Sequence, residues 1–371
     1  MCRAVVIAIL LCAGTFGCDR TPNAPAPTTQ TNARRDPARE RVSVRVAAPL
    51  APRRSTHLAR SSDGTIWWVQ ETDEGHDVTF AMGSDGVPRA TVLTSARVLE
   101  ALEVAQNPEA RGNFHSLAVG RDASVWFYFS GTAARRPVVC VGRFDPRDGG
   151  VRIVIPPAQA EAVTAMGASL VLARGTILPL NRGEEMWLWL RHSDGAQVLR
   201  IDTTSGASWR AFDAVTTQSG QMLSMTRPSL RAGAAADALL LLDPPAVELW
   251  QISIAGRAKS LHALVGLPTA LSAPAADANG RTYIIAGDAP LIPARTDAEA
   301  ETILPVRYPA LLIIESGKLR AIGRDKIDAP GTIALESMRI QELVTEPDAQ
   351  SLIGYDEESG ALLRFRIAAG P

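Results

Sequence analysis

Apolar residues in this chain gather in short runs separated by polar turns, and the runs come in a recurring order. A segment centred on a leucine is followed by a turn and then by a compact aliphatic or aromatic stretch. The leucine landmarks are Leu58, Leu117, Leu170, Leu230, Leu271 and Leu343. The stretches that follow are TIWWVQ at Thr65–Gln70, SVWFYF at Ser124–Phe129, EMWLWL at Glu185–Leu190, ALLLLD at Ala238–Asp243, TYIIAG at Thr282–Gly287 and SLIGYD at Ser351–Asp356. Most have a turn residue just before them, such as Asp63-Gly64, Asp122, Asp237, Asn279-Gly280 or Asp348, which is the chemistry a hairpin needs. Several units continue into a second hairpin with an acidic, glycine-ended turn. Asp145–Gly149, Asp202–Gly206 and Asp356–Gly360 are expected to occupy equivalent places. Two hairpins make four strands per unit. The leucines lie 41 to 72 residues apart, mostly wider than the ~40 to 50 of tight propeller repeats, so loop insertions are expected, with Asp288–Pro309 the main one.

Small sheets that are apolar on both faces must be sandwiched by neighbours, and a radial array does this. The pattern therefore predicts an all-β fold, a six-bladed β-propeller with four-stranded blades. A seven-bladed count, with one blade split from Val163 to Arg191, is the alternative. The last unit has room for three strands, around Leu343, Ile353 and Leu363. Near the other end, Arg41–Leu50 reads RVSVRVAAPL, in which Val42, Val44 and Val46 alternate with polar residues as in a half-buried strand. This N-terminal strand is expected to complete the last blade and close the ring.

Asp122-Ala123-Ser124-Val125-Trp126-Phe127, followed by Val141-Gly142-Arg143-Phe144-Asp145-Pro146 and Gly149, resembles the blades of virginiamycin B lyase-like and NHL-like bacterial propellers. Asp63-Gly64-Thr65-Ile66-Trp67-Trp68 repeats the first half. The resemblance covers residues 56–157 and implies the fold. The lyase family breaks C–O bonds with a metal held by His and Glu on propeller loops. No segment here matches that motif, so no catalytic residue is carried over.

Residues 1–17 read as a signal peptide: a short basic start, then the apolar run Ala4–Gly14, too short to span a bilayer. Gly17-Cys18 resembles the end of a bacterial lipobox, although Thr15 and Phe16 depart from it, and makes Cys18 the expected lipidation site. Residues 18–41 are rich in Pro, Thr, Asn and charge, which reads as a disordered tether, and 42–371 form the propeller. The expected location is the cell envelope outside the cytoplasm, with the membrane as a partner through the lipid. Of the remaining cysteines, Cys140 sits in an apolar segment and reads as a small core residue.

The 38 basic residues nearly cancel the 39 acidic ones, which removes the positive field nucleic-acid binding requires. The chain has no P-loop, dinucleotide loop, G-x-S-x-G elbow or H-E-x-x-H. Its five histidines lack metal-pair spacing, so no metal and no cofactor are expected. His57 and His115 flank their repeat leucines near the innermost strands and are channel-mouth candidates, joined by Arg227 and Glu336. The leucine offsets of the two histidines differ by one, which on a strand points them to opposite sides. Trp67, Trp126, Trp187 and Trp189 read as inter-blade core, and Trp68 as the better surface candidate. The leading function is a ligand- or protein-binding scaffold at the envelope, its partner an unknown protein or small molecule. The alternative is a propeller lyase or hydrolase with its site at one mouth of the channel.

Overall fold

The six aromatic or aliphatic stretches each become the second strand of a small sheet: Ile66–Glu71, Val125–Ala133, Glu185–His192, Ala238–Asp243, Thr282–Ala286 and Ser351–Asp356. The computed structural model describes residues 39–49, 57–71, 77–83, 88–104, 110–133, 136–156, 174–180, 183–192, 195–212, 215–223, 229–232, 238–243, 248–294, 296, 304–346, 348 and 350–369. Within them, six mainly antiparallel sheets stand in a ring, a six-bladed β-propeller.

Blade 1 runs outward through Leu58–Arg60, Ile66–Glu71, Asp77–Met82 and Pro88–Thr94. Blade 2 uses Arg111–Val119, Val125–Ala133, Arg136–Phe144 and Val151–Ile155, and blade 3 uses Arg174–Leu180, Glu185–His192, Gly195–Asp202 and Ser208–Phe212. Blade 4 has Ser229–Ala232, Ala238–Asp243, Glu248–Ser253 and Arg257–Ala263. Blade 5 has Ala275–Ala276, Thr282–Ala286, Ala310–Glu315 and Lys318–Ile322. Blade 6 joins the C-terminal strands Ile340–Thr345, Ser351–Asp356 and Ala361–Ala369 to the N-terminal strand Glu40–Pro49, which lies antiparallel to Ala361–Ala369. The expected closure is present. Thr216–Thr217 and Ile327–Asp328 add short parallel edges outside blades 4 and 6. The region offered as a split blade contributes Arg174–Leu180 and Glu185–His192 to one sheet, so the count is six.

The alternation inside each blade explains the ring, because each face of a sheet is apolar and each is covered. In blade 3, Met186 and Leu188 pack on blade 2, while Trp187 and Trp189 pack on blade 4. In blade 1, Trp67 packs on blade 2 and Trp68 on blade 6. Trp68 is only 1% exposed, so its reading as a surface ring is corrected: the opposite face of a blade is another junction and not solvent. Buried clusters occupy all six junctions, the last one between blades 6 and 1.

The closing strand also departs from simple alternation. Val42 and Val44 face the blade 5 side, but a bulge between Val46 and Ala48 flips the register. Ala48 then faces blade 1, and Val46 is 46% exposed. An ion pair between Arg320 of blade 5 and the buried Glu40 fastens the same strand.

Innermost strands are tied by side chain to backbone bonds. Arg60 Nη1 donates to Thr345 O at 2.5 Å and Thr345 Oγ1 to Ala276 O at 2.9 Å, linking blades 1, 6 and 5. Between blades 2 and 3, Ser116 Oγ accepts from Ile177 N at 3.1 Å and donates to Ile177 O at 3.3 Å.

One further sequence expectation changes. The turns Asp145–Gly149 and Asp202–Gly206 join third to fourth strands, whereas Asp356–Gly360 joins second to third, so they are not equivalent. An acidic, glycine-ended turn suits any tight hairpin, and the motif alone does not say which one. Leu170 lies outside the described residues, and the innermost strand of blade 3 is Arg174–Leu180. The insertion Asp288–Pro309 does separate the second and third strands of blade 5.

Candidate functional site at the junction of blades 5 and 6

In an antiparallel blade, the segment leading into the innermost strand and the turn between second and third strands lie at the same end. At blades 5 and 6 these segments are fixed by backbone bonds. Leu271 bridges Ala286, Gly287 N donates to Ala270 O at 2.8 Å, and Ala273 N donates to Gln341 O at 2.8 Å, clamping one blade to the next. Across the gap, Arg339 N donates to Asp356 Oδ1 at 2.8 Å and Glu357 N to Arg339 O at 2.9 Å. The space they enclose is a cavity of about 610 Å³.

Its lining divides by character. Ala270, Leu271, Met338 and Ile340 supply apolar surface, with Met338 and Ile340 buried, while the exposed Asp288, Glu336, Arg339, Glu357 and Glu358 supply charge. A second cavity of about 560 Å³ is lined by Asp288, Arg307, Tyr308, Arg324 and Asp325, so Asp288 borders both. Arg324 pairs with Glu336 between the two. The N–H of Glu336 itself and the Arg324 guanidinium hold the Glu336 carboxyl below its usual range. Burial pushes the Tyr308 phenol upward, and its hydroxyl has no hydrogen-bond partner among the described residues.

The residues singled out from sequence are placed as follows. Glu336 lines the larger cavity, in the 3-10 turn Leu335–Ser337 ahead of the innermost strand of blade 6. His57 is half-buried, directly before the innermost strand of blade 1. His115 lies inside the innermost strand of blade 2 at a bulge. Its Nε2 is 2.5 Å from Ser130 Oγ and its ring is 5.8 Å from Tyr128, so it is engaged within its own blade. Arg227 and Cys18 lie outside the described residues. Among the described residues no three His, Cys, Asp or Glu side chains converge as a metal site. Cys140 is buried and unbridged, its thiol pushed up to about 12 by burial.

Sequence reading missed Asp288, Arg339, Glu357 and Glu358. A usable signal existed for three of them: Asp288 directly follows the stretch TYIIAG, and Glu357-Glu358 follow SLIGYD, so the ends of second strands mark this face. It also missed Trp209, 42% exposed on the outer strand of blade 3, with the Arg200 guanidinium 5.2 Å from its ring centroid.

No protein-family model matches the chain, and no curated protein matches it. Solved structures do. A Bacteroides thetaiotaomicron protein of unknown function aligns with TM-score 0.52 at 10% identity, over 89% of this chain and 76% of that one. TolB from Acinetobacter baumannii aligns at 0.45 and 12% identity, over 85% of this chain but only 64% of that one. A luciferin-regenerating enzyme aligns at 0.48 and 8% identity, over 88% and 94%. At 10% identity, the likeness to the Bacteroides thetaiotaomicron structure supports the fold alone.

Proposed function

We propose that this protein is a binding propeller of the bacterial cell envelope, held to a membrane by lipid on Cys18, and that it takes its ligand at the junction of blades 5 and 6. The cavity of about 610 Å³ carries the reading, because its walls come from four segments already locked by hydrogen bonds. A concave site with apolar surface and a few convergent polar groups, prepared before the ligand arrives, binds without a large ordering cost. The signal-like start and the tether support the location.

The test is a thermal-shift screen of peptides and metabolites on the wild type and on Thr269→Trp. Thr269 is an exposed lining residue, so an indole there blocks the cavity while the backbone bond from Thr269 N to Pro290 O is kept. Ligands should stabilise the wild type and not the variant. Hits that all persist in Thr269→Trp reject the site. For anchoring, Cys18→Ser should move the protein from the detergent phase to the aqueous phase. A protein already aqueous with Cys18 intact rejects that part.

A further inference from the structure

We infer that this cavity selects a lysine or arginine side chain presented by an extended peptide segment of a partner protein. The inference rests on the binding role proposed above and names its ligand. Of the charged groups lining the larger cavity, Glu336 is engaged by Arg324. Asp288, Glu357 and Glu358 then stand against the single cation Arg339, a net negative rim. Beneath that rim lie Ala270, Leu271, Met338 and Ile340. An acidic rim over an apolar floor complements a group with an aliphatic stem and a cationic head, which is what lysine and arginine carry. An anionic ligand would meet repulsion at the rim, and a purely apolar one would leave the carboxylates partly desolvated.

The neighbouring cavity decides between a peptide and a free amine. Across Asp288 the lining changes to Arg307, Arg324, Tyr308 and Asp325. The Arg307 guanidinium, exposed on this lining, can serve carbonyl oxygens. A peptide places a cationic side chain in the first cavity and its backbone in the second. A polyamine has no acceptor for Arg307 there.

Calorimetric titration of the full-length protein tests this, using capped pentapeptides with Lys, Arg, Leu or Glu at the centre of an alanine background, and spermidine. The Lys and Arg peptides should bind and the Glu peptide should not. Glu357→Gln/Glu358→Gln should weaken the Lys peptide at least about tenfold, as loss of charged hydrogen-bond acceptors does. Raising salt from about 50 mM to about 500 mM should weaken it further. Both positions are exposed turn residues, so an unchanged melting midpoint confirms that the double variant is folded. Equal binding of the Leu peptide, or no effect of the double variant, overturns the cation assignment. If Thr269→Trp then still abolishes binding, the cavity stands as a site. Spermidine binding as tightly as the Lys peptide overturns the peptide assignment, and loss of no interaction in Thr269→Trp overturns the binding reading itself.

Discussion

Val44→Ala and Val46→Ala are the same substitution two residues apart on the strand that closes the ring, yet they should differ several-fold in cost. Val44 is 1% exposed and packs in the cluster between blades 5 and 6, with Leu363, Phe365, Ile367 and Ile322 among its members. The change removes two methyl groups at about 0.8 kcal/mol each, and the cavity left in a rigid junction brings the loss to about 2 kcal/mol. Val46 stands at the bulge with 46% of its surface in solvent, so the same deletion should cost within about 0.5 kcal/mol. Urea unfolding followed by tryptophan fluorescence is the assay, because Trp68, Trp126, Trp187 and Trp189 are buried at junctions and report loss of the ring. Equal losses in the two variants, or a larger one at Val46, would refute the burial of Val44 at the junction and the exposure of Val46 beside the bulge.

Three other outcomes follow from the same packing. A Cβ at Gly142 would fall 2.1 Å from Cζ of the buried Phe127, so Gly142→Ala should cost about 2 to 3 kcal/mol by overpacking; Gly280→Ala, with φ +85 and open space around it, should cost only about 1 kcal/mol of backbone strain. Equal midpoints in urea would reject this contrast. Cys140, its thiol raised to about 12 by burial, should resist iodoacetamide in native protein at pH 8 and react once unfolded, as peptide mass spectrometry reads; rapid native labelling would contradict its burial. Acid should destabilise the fold through the turn aspartates. Asp63 is held low by the Ser61 hydroxyl and the Thr65 N–H. At Asp122 burial pushes upward but is outweighed by the Ser124 hydroxyl and N–H and by Arg143, and at Asp348 by Gln350 and Ser351. Groups lowered in the fold contribute fully above the unfolded carboxylate value of about 4 and lose that contribution as pH falls through their folded values. Urea midpoints should be level from pH 7 to about 5 and decline below; a profile level to pH 3 would exclude this role.

The propeller was legible because its physics is local and repeated. Each second strand is covered on both faces, so it appears as an unbroken apolar run such as Trp126-Phe127-Tyr128-Phe129. In four blades the turn before it is built on a carboxylate: Asp63, Asp122, Asp277 and Asp348 each accept an N–H two residues on, at 2.8 to 3.1 Å. Closure was legible too, from alternating valines near one end of the chain and a unit short of one strand at the other. Trp68 and Val46 misled for opposite reasons. Period-2 alternation says that two residues face apart, but only the neighbouring blade decides whether either side is wet, and a one-residue bulge at Ala47 has no mark in the sequence.

The site was harder to read because nothing local builds it. Met338 and Ile340 come from one blade, Ala270 and Leu271 from the approach to another, and Asp288 and Glu357 from two second-to-third connections. These residues are 87 positions apart at the extremes, from Ala270 to Glu357, and no spacing rule links them. The histidines drew attention because histidine is chemically versatile, yet the structure gives His115 to Ser130 and Tyr128. Glu336 was found by its position ahead of an innermost strand, the same positional logic that marks Asp288 and Glu357 at the ends of second strands. In a ring of repeats, ligand chemistry is therefore better sought by place in the repeat than by residue type. Charge-reversing substitutions at Glu357 and Glu358 should accordingly change what binds while leaving the blade junctions, and the unfolding midpoint, as they are.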